Sequence, residues 1–289
     1  MPATLIAVRR PSRIAFLLTC ASGLPLLIQG QAPATLTPAQ AQALVERVLA
    51  TESRAAQDLS HGSHLMRYRL HKVSPRLTST KEIVETREGD VARTLEINSQ
   101  VLGPADAQRE ESRLQALYDN PGLQQHRKQS EDNDTARALK VLRVLPTAFL
   151  YQFAGTADAA NGSADRFTFK PNPQFEPPDL ETGVLTAMVG EIWIDPVQER
   201  VVRLAGTLQQ DKEIALGLAE LDKGGWVEIV QADVGGHEWR IVHLKLVMNG
   251  RILFKSKNSN SVQDYTDFAP LPPDLTYRQA IELLRAGKQ

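Results

Sequence analysis

Few residues in this chain have the types and spacing that chemistry needs. His61 and His64 lie three apart near the end of a predicted helix and His71 follows on the next strand, so a histidine metal site is one reading. The plainer reading is a solvated helix end, where an imidazolium suits the helix dipole. His237 and His243 fall on odd positions with Trp239 and Ile241 and are expected on one strand face. Glu191 and Asp195, two pleats apart, resemble a paired-carboxylate acid/base site, although Asp195 before Pro196 also reads as a turn residue. No Gly-x-Ser-x-Gly elbow, His-Glu-x-x-His helix, phosphate loop or Gly-x-Gly-x-x-Gly occurs. The expectation is therefore a protein that is not an enzyme, with no metal and no cofactor; a hydrolase of unfamiliar type is the weakest alternative.

The aromatic residues are the better lead. Phe149, Tyr151 and Phe153 are in phase on one run, Phe167 and Phe169 on another, and Trp193, Trp226, Trp239 and Phe254 lie on later strands. They read either as a core packed beneath helices or, on a curved sheet, as the lining of a cavity. Tyr151, Phe153, Phe167, Phe169 and Trp193 are the candidates to border an acyl chain. About 0.8 kcal/mol per buried methylene would hold such a chain without a charged partner.

Composition sets the frame for these elements. The chain has 289 residues, 42% hydrophobic and 23% charged, which is ordinary for a globular protein. A formal charge of −1 gives no basic field for a phosphate backbone, so nucleic acid is not an expected partner. Arg9, Arg10 and Arg13 precede an interrupted apolar stretch from Ile14 to Ile28, the pattern of an export signal ending near Ala32. Ser22, Gly23 and Pro25 break that stretch, which argues against a membrane anchor. Cys20 is the sole cysteine and falls inside the signal, so the mature chain would lack disulfides and a thiol nucleophile. Residues 1–32 are read as a signal peptide and 33–289 as one domain, periplasmic or secreted, with no integral membrane segment.

Thr37-Pro38 opens a helix whose Ala41, Leu44, Val45, Val48 and Leu49 form one stripe. Period-two runs from Leu65 to Val73, Leu77 to Thr86 and Val91 to Ser99 predict strands with one solvated face. A second helix is expected from Ala105 to Tyr118, then a polar linker from Asn120 to Asn133 and a short helix from Ala136 that Pro146 stops. Phe149–Phe153 and Arg166–Lys170 predict a hairpin, and Gly190–Asp195 with Arg200–Leu208 another. Asp211 to Glu220 reads as a loop or short helix. Gly225–Asp233 and Glu238–Met248 form a ribbon, and Asn249-Gly250 predicts a type I′ turn into a partner strand, Arg251 to Lys257. Thr276 to Gln279 is a capping box that starts a C-terminal helix.

Taken together, Phe167-Thr168-Phe169-Lys170-Pro171-Asn172-Pro173, the hairpin Gly190–Asp195 with Val202-Arg203-Leu204, and Leu221-Asp222-Lys223-Gly224-Gly225 resemble exported bacterial proteins of the lipoprotein-carrier (LolA/LolB-like) superfamily. The resemblance implies an α+β fold: a strongly curved antiparallel half-barrel of about 9–11 strands, with helices on its concave side and at the termini. It implies a lipid or lipoprotein acyl chain as partner. None of that family's functional residues can be matched here. The alternative is an envelope protein-interaction or sensing module that uses a sheet edge and has no lipid ligand.

Overall fold

Thr37 caps α1 (Pro38–Ser60) by accepting from the Gln40 amide, and Gln40 reaches back to the Thr37 amide, which completes a capping box. The predicted stripe is buried: Ala41, Val45, Val48 and Leu49 face inward, and Leu44 packs at their border. The computed structural model describes residues 36–159, 162–214, 219–252, 255–256 and 258–287, which belong to one compact unit from Thr35 onward. The predicted signal peptide, Phe254 and Lys257 lie outside the described residues, as do the two residues at the tip of the first aromatic hairpin and the middle of the Asp211–Glu220 stretch.

Strands β1 (Met66–Val73), β2 (Thr78–Val84), β3 (Val91–Ile97) and β4 (Gln100–Val101) follow as an antiparallel meander. Helices α2 (Pro104–Asp119) and α3 (Pro121–Ala148) then carry the chain from this edge of the sheet to the other, where β5 (Phe149–Ala159) and β6 (Gly162–Pro171) form a hairpin. A 3-10 turn (Thr182–Ala187) leads into β7 (Met188–Asp195) and β8 (Arg200–Leu208). After β9 (Lys212–Ile214) and β10 (Ala219–Leu221) come β11 (Trp226–Asp233), β12 (Trp239–Met248), β13 (Gly250–Ile252), β14 (Lys255–Ser256), β15 (Ser259–Pro270) and α4 (Tyr277–Ala286). The main sheet has 11 antiparallel strands in the order β4-β3-β2-β1-β15-β12-β11-β8-β7-β6-β5 and is open at both edges. This is the α+β half-barrel class, with its strand count at the top of the expected range. No described helix is long and apolar enough to cross a membrane.

Three sequence expectations are corrected. The polar stretch from Asn120 to Asn133 is not a linker but the first half of α3, one helix of 28 residues in which Pro146 sits in the last turn and does not stop the chain. The helix lacks an apolar stripe there because hydrogen bonds hold it instead: Gln124 donates to the Glu88 and Gly89 carbonyls, Arg127 donates to the Asp90 carbonyl, and Glu131 accepts from the Asp90 amide. The ends of Asp211–Glu220 are strands, β9 and β10, of a second sheet ordered β14-β13-β10-β9. Asn249-Gly250 makes no hairpin between β12 and β13, since β12 pairs with β11 and β15 while β13 pairs with β10 and β14. Neither residue has positive φ. Gly250 is needed for close approach, because a Cβ there would stand 2.2 Å from the Glu220 carbonyl oxygen.

The core is split. One cluster lies under α1 and α3 against β5 to β8 and contains Phe149, Tyr151, Phe167, Phe169, Ile192, Ile194 and Leu208. A second joins Val84 and Val91 to Leu114 and Leu117 of α2 and to Tyr277, Ala280, Ile281 and Leu284 of α4. Arg67 pairs with Val84 and Tyr68 with Ile83, so Val84 and Tyr68 point to opposite faces. The helices accordingly divide between the faces, α1 and α3 on the Tyr68 side, α2 and α4 on the other. A third, small cluster joins Ala164, Val202 and Trp239, and on the Tyr68 side a hollow lies between α1 and the central strands β1, β15 and β12.

Candidate functional site

The hollow between α1 and the central strands is the most promising site. Its apolar part, about 260 Å³, is walled by Ala55, Ala56 and Leu59 of α1 and floored by Tyr68, Trp239, Ile241, Tyr265 and Phe268. Tyr68 lies across the register from Tyr265 by one pleat, and its ring centroid is 5.9 Å from Tyr265 and 5.4 Å from Phe268. A register shift between Arg67 and Arg69 on β1, opposite Thr266 to Ala269, brings Phe268 into this group. A second hollow of about 290 Å³ adjoins the first and shares Ala56, Leu59, Glu85 and Arg240 with it. It is the more polar of the two: Asp90 of the β2–β3 turn and Lys128, Glu131 and Asp132 of α3 complete much of its wall.

Three of its carboxyl groups, Glu85, Asp90 and Glu131, are displaced from ordinary behaviour. Burial, reinforced by the neighbouring Glu85 and Glu131 charges, pushes the Asp90 carboxyl up to about 8. Burial also raises Glu85 and Glu131, against the pull of Arg240 on the first and of the Asp90 amide on the second. The Tyr68 and Tyr265 hydroxyls are pushed up by burial too, Tyr68 further by Asp90 and Glu85. Glu85 accepts from the Met66 amide at 2.8 Å. Arg240, buried, donates through Nη2 to the His64 carbonyl at 2.5 Å and meets Glu238 through Nη1 at 3.3 Å, but its Nε has no partner among the described residues. The arrangement presents an apolar, aromatic hollow beside one that carries more polar groups. Such a site suits an amphipathic molecule, and the two hollows together fall in the range of about 300–1,000 Å³ typical of small-molecule sites.

Of the aromatics singled out in the sequence, Trp239 floors this hollow, whereas Tyr151 and Phe169 line a separate one of about 410 Å³ with Pro38, Gln42 and Leu150. Tyr151, Phe153, Phe167 and Phe169 come together on the α1 face of β5 and β6, where Phe149 and Phe169 are 4.4 Å apart by ring centroid and Phe153 and Phe167 are 5.5 Å apart. Phe167 is fully buried and the Tyr151 hydroxyl donates to the Leu145 carbonyl of α3 at 2.9 Å. Trp193 is not with them. It stands on the opposite face, where it donates to Glu191 at 3.0 Å and lies under Arg203 at 4.7 Å.

The other chemical candidates resolve into structural roles. Glu191 meets Arg203 at 3.6 Å and Arg166 at 3.8 Å, whereas Asp195 accepts from the Val197 and Gln198 amides in the β7–β8 turn, so the two carboxylates do not converge. His61 caps α1, His64 pairs with Glu238 at 2.6 Å and His71 shares Thr80 with Glu96. His237 sits in a turn with φ of 65° and not on a strand. A register shift between Ile241 and His243 breaks the odd-numbered face expected there. Among the described residues, no group of three or more histidine, cysteine or carboxylate side chains is placed to hold a metal.

Sequence reasoning missed the hollow. The signal was present in Met66, Tyr68 and Leu70, which alternate with arginines on β1, but the polar half of that strand dominated the reading.

No family model and no curated protein matches the chain. Among solved structures the chain is similar to a proposed outer membrane lipoprotein-sorting protein domain from Vibrio parahaemolyticus, with 9% identity and a TM-score of 0.29 over 81% of this chain and 93% of that one. A superposition that loose does not bear on the site.

Proposed function

We propose that this is an exported, non-enzymatic envelope protein that holds a lipid or lipoprotein acyl chain on the α1 face of its sheet. The observation that carries the reading is the hollow between α1 and the central strands, which Leu59, Tyr68, Tyr265 and Phe268 line. Apolar burial suffices to retain an acyl chain there. Tyr151, Phe153, Phe167 and Phe169 support the site in this reading as the packed wall that fixes α1 above the sheet, and Trp193 serves the outer face.

The test is binding of an uncharged fluorescent acyl analogue to the purified full-length protein. Binding should change little with salt, since apolar burial is not screened. Ala56→Trp, which fills the hollow from α1, should abolish binding while the urea midpoint stays near that of the parent. Unchanged binding in that variant would overturn the placement of the ligand. One observation favours a second reading: β5 is a long strand paired on one side only and Leu150 is exposed on it, which suits strand addition by an envelope protein. If no acyl probe binds the parent, that reading becomes the better one.

A further inference from the structure

We infer that the apolar hollow takes a medium acyl chain of about eight to ten carbons, with charged side chains on two sides setting the limit. This rests on the acyl-chain reading above and names the class of chain. An apolar cavity of about 150 Å³ holds benzene, with its six carbons. In the same proportion a hollow of about 260 Å³ holds about ten carbons. The chain would lie between Ala55, Ala56 and Leu59 on α1 and the rings of Tyr68, Tyr265 and Phe268.

The lining changes character on both sides of these rings. The strand order β8-β11-β12-β15-β1-β2 puts Arg200 and Gln231, with Glu52 of α1 above them, on one side and Glu85 on the other. On the first side Glu52 is held by Arg200, the Val201 amide and Gln231, and Arg200 lies over the Trp239 ring at 5.3 Å. On the second, Glu85 accepts from the Met66 amide and Arg240 donates to the His64 carbonyl, beside the start of β1. Methylenes pushed against either side strip water from charged groups and return no hydrogen bond, which costs more than a methylene gains by burial. The adjoining hollow, with Asp90, Lys128, Glu131 and Asp132 on its wall, gives room to a polar end of the ligand and none to further methylenes. A longer chain must leave its extra carbons in water or against these groups, and neither adds affinity.

The experiment is a chain-length series: 1-monoacylglycerols of six, eight, ten, twelve and fourteen carbons, each titrated calorimetrically into the full-length protein below its own aggregation threshold. The expected result is affinity that rises about fourfold per added carbon up to about ten carbons, then by less than about 1.5-fold per carbon. Ala55 lines the apolar hollow and not the polar one. Ala55→Leu should therefore move the break about two carbons shorter and leave the six-carbon probe within about twofold of the parent. The parent series decides the length by itself if that variant does not fold. Affinity that climbs about fourfold per carbon through fourteen carbons overturns the limit and leaves the acyl reading standing. A break that stays in place in folded Ala55→Leu overturns the position of the chain under α1. Failure of every probe to bind the parent overturns the acyl reading and this inference with it.

Discussion

Glu52 on α1 and Arg200 on β8 form a bidentate pair, Oε1 to Nε at 2.7 Å and Oε2 to Nη2 at 3.1 Å, with both side chains largely removed from solvent. Glu52 also accepts from the Val201 amide at 2.9 Å and from Gln231 at 3.3 Å, so its acceptor positions are filled. This joint sits where α1 leaves the packed cluster and starts to roof the hollow. Glu52→Ala would leave a buried guanidinium uncompensated, and such a loss costs about 3–5 kcal/mol. Urea denaturation should report a lower midpoint of that order. An unchanged midpoint would mean that Arg200 finds another partner and that α1 is held by its apolar stripe alone.

Asp90 makes stability depend on pH in an unusual direction. Its carboxyl is raised from an ordinary 3.8 to about 8 in the folded chain, so the folded state binds more protons than the unfolded one between those values. Below about pH 4 both states are protonated and the group contributes no slope. As pH rises from about 4 to about 8 the unfolded chain ionises and the folded chain resists, so stability falls. Above about 8 both states are ionised and the slope from this group ends. Asp90→Asn should flatten this decline and be the more stable protein at pH 8 by on the order of a few kcal/mol. Unfolding curves for both proteins at half-unit steps from pH 4.5 to 8.5 test it, and parallel curves would reject it.

What was legible in the sequence follows from which force holds each element. α1, α4 and most of the strands of the main sheet bury one face, so their apolar period is written in the chain, and the capping boxes at Thr37 and Thr276 mark the helix starts. The first half of α3 was unreadable because side-chain hydrogen bonds to the Glu88–Asp90 turn hold it, and such contacts leave no period. Asn249-Gly250 misled because the same glycine serves two ends: a hairpin turn needs positive φ, and here a crossing between sheets needs a missing Cβ. The hollow was hidden for a related reason. Tyr68 on β1 is far in the chain from Arg240 on β12 and from Tyr265 and Phe268 on β15, and it is the insertion of β15 between β1 and β12 that brings them together.

Gly250 gives a direct check of that crossing. Replacing it with alanine would press a methyl group against the Glu220 carbonyl, which is backbone and cannot move aside alone. A clash of this kind is expected to cost about 1–3 kcal/mol. A loss of less than about 0.5 kcal/mol would contradict the close approach of Gly250 to the Glu220 backbone.

Tyr68, Phe167 and Trp193 are three aromatics with three different environments, and their alanine variants should separate them. Phe167 is completely enclosed by the cluster under α1 and α3, so Phe167→Ala should cost about 3–5 kcal/mol. Trp193 lies on the far face against Arg203 and Glu191, where a cation–π contact contributes about 0.5–1 kcal/mol, so its variant should lose little stability and bind an acyl probe like the parent. Tyr68 floors the hollow beside Tyr265 and Phe268. Tyr68→Ala should lower probe affinity by about tenfold or more, because the ligand loses an aromatic wall about as large as a side chain that the fold leaves partly unpacked. Phe167→Ala, measured below its lowered melting point, should retain the affinity. Loss of affinity in Trp193→Ala with none in Tyr68→Ala would move the ligand to the other face of the sheet.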